Sequence, residues 1–160
     1  MGGLTTAEVI RRHSKIGLDS NLLIYLIDDV QPWAAQVGEL VTAIEGGHVA
    51  GVMSALAVTE ILSGPSRDGD LGRLERTYDE VRTIPGLEIV PLRTEIAADA
   101  AVIRGIRGMA LADAIHLASA RAASATAFVT NDRTIRGSAK LEVIYLDDLE
   151  PVTERALAET

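Results

Sequence analysis

Apolar and polar positions along the 160 residues switch repeatedly between two periods. Short apolar runs bounded by turn or capping residues read as strands: KIGLDS from Lys15, HVAGVMS from His48, LEIVPL from Leu87, TAFVT from Thr126 and LEVIYL from Leu141. Between them lie stretches with helical spacing. NLLIYLID follows the first strand, and PWAAQVGELVTAIEGG comes next, with Pro32 suited to a first turn and Gly46-Gly47 to an end. ALAVTEILSG has Ser54 ahead of it as an N-cap, and GPSRDGD reads as a loop. A charged amphipathic stretch then runs to about Arg82, another helix covers Thr94 to Ile106, and ALADAIHLASARAAS is an alanine-rich helix. Strands separated by helices predict an α/β protein, a parallel sheet with helices on both faces and right-handed crossovers. Residues 1–14 read as an N-terminal extension, 15–149 as one domain and 150–160 as a C-terminal tail.

Composition narrows the chemistry. Hydrophobic residues make up 48% of the chain and charged residues 24%, which suits a folded domain and not a disordered one. There is no cysteine, so disulfides, thiolate metal sites and a cysteine nucleophile are excluded. MGGLTTAEVIRRHSK lacks the apolar centre of a signal peptide, and the longest apolar run, Leu22 to Ile27, is far too short for a bilayer. The expectation is a soluble cytoplasmic protein that touches no membrane. A net charge of −8 opposes a general nucleic-acid coat. Carboxylates that converge on metal ions would carry part of that charge as ligands.

Four carboxylates occupy telling places. Asp19 ends the first strand, and Asp132 follows AFVTN at the end of a later one. Open α/β sheets bind ligands outside the carboxyl ends of their strands, so if these two strands are neighbours their acids face one crevice. Asp113 sits in a helix that is apolar nearly all round, where a carboxylate needs a partner, a metal or a place in the first turn facing the helix dipole. Glu60, on ALAVTEIL, lies opposite Val58, Ile61 and Leu62; alone it reads as a solvent-facing acid, and with the other three as the fourth wall of a site. Four carboxylates without cysteine suit oxygen-preferring Mg²⁺ or Mn²⁺. Held together they repel and raise one another's pKa, and with metal the available chemistry is phosphodiester hydrolysis.

LDSNLLIYLID, MSALAVTEIL, GMALADAIHLASA and AFVTND occur in the order and spacing of PIN-domain ribonucleases, and the chain most resembles the toxins of VapBC-type toxin–antitoxin pairs over residues 15–147. The resemblance implies a three-layer α/β/α sandwich around a central parallel sheet of about five strands. It implies Asp19, Glu60, Asp113 and Asp132 as catalytic acids and metal ligands, with Ser20, Asn21, Thr130 and Asn131 in support. It also implies a metal-dependent endoribonuclease toxin acting on RNA, a homodimer, and a cognate antitoxin whose helix lies in a groove by NLLIYLID and the helix after it. The chain departs from the family at Ile135, where an aromatic is common, and in its fourteen-residue N-terminal extension.

Other features are weaker. His116 stands one turn after Asp113 and reads as a packed imidazole supporting the site more readily than as a second ligand. Arg133, Arg136 and Lys140 are candidate RNA contacts or a solvated loop, while Arg11, Arg12 and Lys15 read as surface charge. Trp33 reads as a packing residue, and 3% aromatics give little support to a base-stacking platform. A haloacid-dehalogenase-type phosphatase would need an acid at Asn21. A receiver-type phosphoacceptor would need paired acids near the first strand, but Asp28 and Asp29 lie a helix away. The remaining alternative is a PIN fold acting as a binding or regulatory partner with little or no nuclease activity.

Overall fold

The computed structural model describes residues 2–138 and 140–151. The elements follow in the order α1 (Thr6–Arg12), β1 (Lys15–Leu18), α2 (Ser20–Ile27), α3 (Trp33–Glu45), β2 (Ala50–Ser54), α4 (Ala55–Arg67), α5 (Leu71–Arg82), β3 (Leu87–Val90), α6 (Thr94–Arg107), α7 (Leu111–Ala122), β4 (Ala127–Thr130) and β5 (Glu142–Tyr145). A 3-10 turn, Leu146–Asp148, closes the described chain. The five strands form one parallel sheet in the order β3-β2-β1-β4-β5, with helices on both faces. This is the α/β/α sandwich that the sequence pattern and the resemblance implied.

Period-two alternation divides the core between the two faces. Ile16, Leu18, Met53, Ala127 and Val129 pack with Leu22, Leu23, Val37, Leu40 and Ile61 on one face. Val52, Val90 and Phe128 pack with Ile96, Ala100, Ile103, Ala114, Leu117 and Ala118 of α6 and α7 on the other. Alanine on α7 lets that helix come close, and Gly17 completes the fit. A Cβ on Gly17 would stand 2.8 Å from Phe128 Cδ2 and 2.9 Å from the Ala120 Cβ.

Chain order and sheet order reverse at β1. The chain first fills one side through β2 and β3, then returns to β4 and β5 on the other. The switch point therefore lies between the ends of β1 and β4, which pair in register from Ile16↔Ala127 to Leu18↔Val129. The adjacency assumed for the strands carrying Asp19 and Asp132 is present.

Two local expectations are corrected. GPSRDGD is not wholly loop: α4 continues through Gly64 and Pro65 to Arg67. Proline removes only its own donor, and the N–H groups of Asp68 and Asp70 still reach the carbonyls of Gly64 and Pro65. Gly69, at φ 68°, then ends the turn, and the Asp70 side chain caps α5 through Arg73 N. The second correction is that α2 begins at Ser20, one residue before Asn21, because Asp19 itself is the N-cap.

The N-terminal segment lies against the core. A capping box joins Thr5 and Glu8, Val9 is fully buried, and Leu4 bridges to Leu149. His13 links Thr126 at 2.7 Å and Glu142 at 2.9 Å, and Lys15 Nζ donates to Ala123 O. Residues 152–160 of the expected tail lie outside the described residues.

The fit at Gly17 has a measurable consequence. Gly17→Ala is expected to cost about 1–3 kcal/mol by overpacking the β1–α7 contact. Urea denaturation should show a lower midpoint with an unchanged slope.

Candidate active site

The site begins where β1 runs out. Asp19 is only 6% exposed, and two donors replace its water: Ser20 N at 2.8 Å to Oδ1, and Thr130 Oγ1 at 2.7 Å to Oδ2. Thr130 is the last residue of β4, so this second bond exists only because β4 lies beside β1. The Thr130 hydroxyl also accepts from Asp132 N at 3.0 Å and thereby ties the two strand-end acids together. Burial pushes the Asp19 carboxyl above its ordinary value, against the opposing pull of Thr130, His116 and Ser20.

Glu60 comes from α4 and His116 from α7. His116 Nε2 stands 2.6 Å from Glu60 Oε1 and 3.8 Å from Asp19 Oδ1, while its Nδ1 is 3.0 Å from Ser54 Oγ. Whether neutral through its Nε2 tautomer or charged, the ring donates to Glu60. Burial lowers the His116 pKa, but the Glu60 bond and the charges of Asp19, Glu60 and Asp113 outweigh it, and the pKa lies above its ordinary value. The same bond, with help from the Ser20 hydroxyl, holds Glu60 below its ordinary value despite partial burial. Ligand atoms of Asp19, Glu60 and His116 lie within 4.8 Å of one another.

Asp113 lies in the first turn of α7, as its end-of-helix explanation required, but no side chain caps that helix. Burial and then the charges of Asp132, Asp19 and Glu60 push its carboxyl up, with His116 pulling the other way. Four acids therefore act on one crevice, although Asp113 and Asp132 fall outside the 4.8 Å group. Asp132 Oδ1 accepts from Thr134 N at 2.9 Å and Thr134 Oγ1 at 2.7 Å.

The supporting residues divide. Ser20 and Thr130 act directly on the acids. Asn21 Oδ1 is buried without a hydrogen-bond partner among the described residues. Asn131 uses its amide elsewhere, donating to the Tyr25 hydroxyl at 3.5 Å and accepting from Asp147 N at 3.3 Å. Among the basic candidates, Arg133 is committed to Asp148 through bonds of 3.1 and 2.6 Å and lies over the Tyr145 ring. Arg136 and Lys140 are exposed, and Ile135 is fully buried as a packing residue. Trp33 stacks on Tyr25 and donates to Asp147. His116 is the buried supporting imidazole expected of it, and Ser54 is the expected N-cap of α4, but the bond between the two has no signal in the sequence. The Asp113–His116 spacing was visible, but its crossing to Glu60 on another helix was not.

An open parallel sheet with carboxylates gathered at its switch point defines an α/β protein with an acidic crevice. The chain belongs to the PIN domain family, whose pattern matches residues 16–141. Among solved structures it is similar to FitAcB from Neisseria gonorrhoeae, at 25% identity and TM-score 0.66 over 84% of this chain and 99% of that one. It is similar to DNA-bound VapBC from Salmonella typhimurium, at 13% identity and TM-score 0.61 over 82% and 98%. It also resembles Mycobacterium tuberculosis VapC20, a toxin described as cleaving the sarcin–ricin loop, at 14% identity and TM-score 0.55 over 71% and 86%. No curated protein sequence matches the chain.

The electrostatics of Asp113 give a direct test. Its folded pKa is raised, so its ionised form weakens the fold, a penalty absent below the unfolded value near 3.8 and complete once pH exceeds the folded value. Without added metal, Asp113→Asn should raise the melting temperature at pH 7 by about 1–3 °C. That gain should vanish by about pH 3.5 in a pH series of thermal melts.

Proposed function

We propose that this PIN domain is a metal-dependent endoribonuclease toxin that hydrolyses RNA phosphodiester bonds and is restrained by a cognate antitoxin. The observation that carries the proposal is the mutual charge pressure at the switch point: burial and three neighbouring acids raise Asp113, and burial raises Asp19. Like charges so placed are costly until a cation joins them. The donor set, carboxylates with no thiolate, fits Mg²⁺ or Mn²⁺. Asp19, Glu60, Asp113 and Asp132 would hold the metal, and when bound it would supply water of lowered pKa and offset charge on the phosphate.

The chain's own residues supply the orientation. Thr130 and Ser20 N fix both oxygens of Asp19. Ser54 and His116 fix one oxygen of Glu60. Asp132 keeps one oxygen outside the Thr134 turn, available to a ligand or to an attacking water. No protein nucleophile is needed, since water attacks phosphorus directly and no covalent intermediate forms.

The partner surfaces support the same function. An apolar groove of about 530 Å³, lined by Leu23, Leu26, Ile27, Val41, Val81 and Ile84, runs between α2, α3 and α5 with Glu45 and Glu80 on its wall. An apolar helix carrying basic residues fits it, which suits the antitoxin. For a homodimer, α2 and α3 offer mainly buried or half-buried apolar residues; the exposed large ones are Leu71 and Tyr78 on α5, Leu92, and Val102, Ile106 and Leu111 of α6 and α7. No helix among the described residues is long and apolar enough to cross a membrane.

The purified chain, free of antitoxin, should cut members of a structured RNA panel that includes tRNAs when Mn²⁺ or Mg²⁺ is present. Chelator or Asp19→Asn should lower the rate by at least about 100-fold, the scale on which loss of a positioned catalytic group acts. A metal-loaded wild-type chain that cuts no RNA would favour a PIN fold acting as a binding partner.

A further inference from the structure

Beside the acid crevice lies a cleft of opposite charge. It encloses about 620 Å³ and is lined by Arg107, Gly108, Met109, Arg133, Thr134, Arg136 and Gly137. No acid lines it, in a chain of net charge −8. The two sites share a wall, because Thr134 lines the cleft and also donates twice to Asp132 Oδ1. Asp132 and the cleft are therefore joined through a single residue, Thr134.

The three arginines differ in what they have left to offer. Arg133 is paired with Asp148. Arg107, in the last turn of α6, donates to Arg136 O at 2.9 Å and to Gly137 O, so it keeps its charge while bracing the loop. The Arg136 side chain makes no hydrogen bond or ion pair among the described residues. Its loop is nevertheless fixed at several points. Ile135 is fully buried, Ile135 N reaches Asp132 O at 3.1 Å, and the Tyr145 hydroxyl holds Ile135 O. A cation on a braced loop is partly preorganised, so less ordering cost opposes an anion that binds there. The cleft floor at Gly108 is open, with no atom within 4 Å of where a Cβ would stand.

We infer that this cleft is a backbone subsite for single-stranded RNA, in which Arg136 contacts the phosphate next to the scissile one and Arg107 positions Arg136. The inference rests on the nuclease function proposed above and adds the direction in which the strand runs, from the acids past Asp132 toward α6. An RNA backbone suits the place because its phosphates repeat along the chain: while one sits at the acids, the next needs a cation nearby. The acids repel phosphate in the absence of metal, whereas the cleft attracts it with or without metal.

The test measures binding apart from cleavage. Fluorescence anisotropy would follow a labelled uridine dodecamer with the full chain carrying Asp19→Asn, in EDTA, between 50 and 200 mM salt. Adding Arg136→Ala should weaken binding and lower the slope of log affinity against log salt by about 0.7, the value of one single-strand phosphate contact. The variant's deficit would then shrink about 2.6-fold across that range. Arg136→Lys should restore most of the slope. Because the Arg136 side chain is exposed and unpaired, melting temperatures should match. An unchanged slope in Arg136→Ala, or no dodecamer binding by the Asp19→Asn chain at 50 mM salt, would overturn the subsite. If wild type fails to cut RNA while the slope falls as expected, the nuclease function fails and the cleft stands. Metal-dependent cutting with an unchanged slope means the reverse.

Discussion

Asp19 loses nearly all of its hydration at the end of β1, and the architecture around it supplies the replacement. One donor is local, the Ser20 amide that opens α2. The other, Thr130, comes from a strand more than a hundred residues later and is present only because β4 packs beside β1. That pairing depends in turn on Gly17, whose missing side chain leaves room for Phe128 and Ala120. Burial still leaves the carboxyl raised, so the replacement is incomplete. The site is poised for a further positive charge.

The rest of the crevice follows the same electrostatic logic. His116 partly neutralises Glu60 and Asp19 from the buried side, while Asp113 and Asp132 add charge that no side chain offsets as closely. Basic groups stand outside this shell. Arg136 lines the cleft together with Thr134, the residue that also holds Asp132, and forms no ion pair with the acids among the described residues. A chain of strongly negative net charge can thus offer a local path to a polyanion, because placement governs short-range binding more than net charge does.

Much of this was legible in the sequence because strands announce their ends. The period-two runs stopping at Leu18 and Thr130 placed Asp19 and Asp132 at carboxyl ends, and the alternation of strands and helices fixed the layers. What was illegible depended on how helices cross. Glu60 lies on an amphipathic helix whose outer face could have met solvent, and only the packing of α4 against α7 turns it toward His116. Arg107 has no sequence signal either, since its partners lie 29 and 30 residues downstream. Pro65 misled because a proline near a run of turn residues resembles a stop, although a helix can carry one in its last turn.

The acids at the switch point are proposed to hold a cation. Crystals soaked in Mn²⁺ and measured at the manganese absorption edge would test this. An anomalous peak bounded by the carboxylates of Asp19, Glu60, Asp113 and Asp132 is the expected result, with no such peak in crystals of Asp19→Asn. A fully soaked crystal with Mn²⁺ only at surface acids such as Asp147 and Asp148, and none at Asp19, would contradict it.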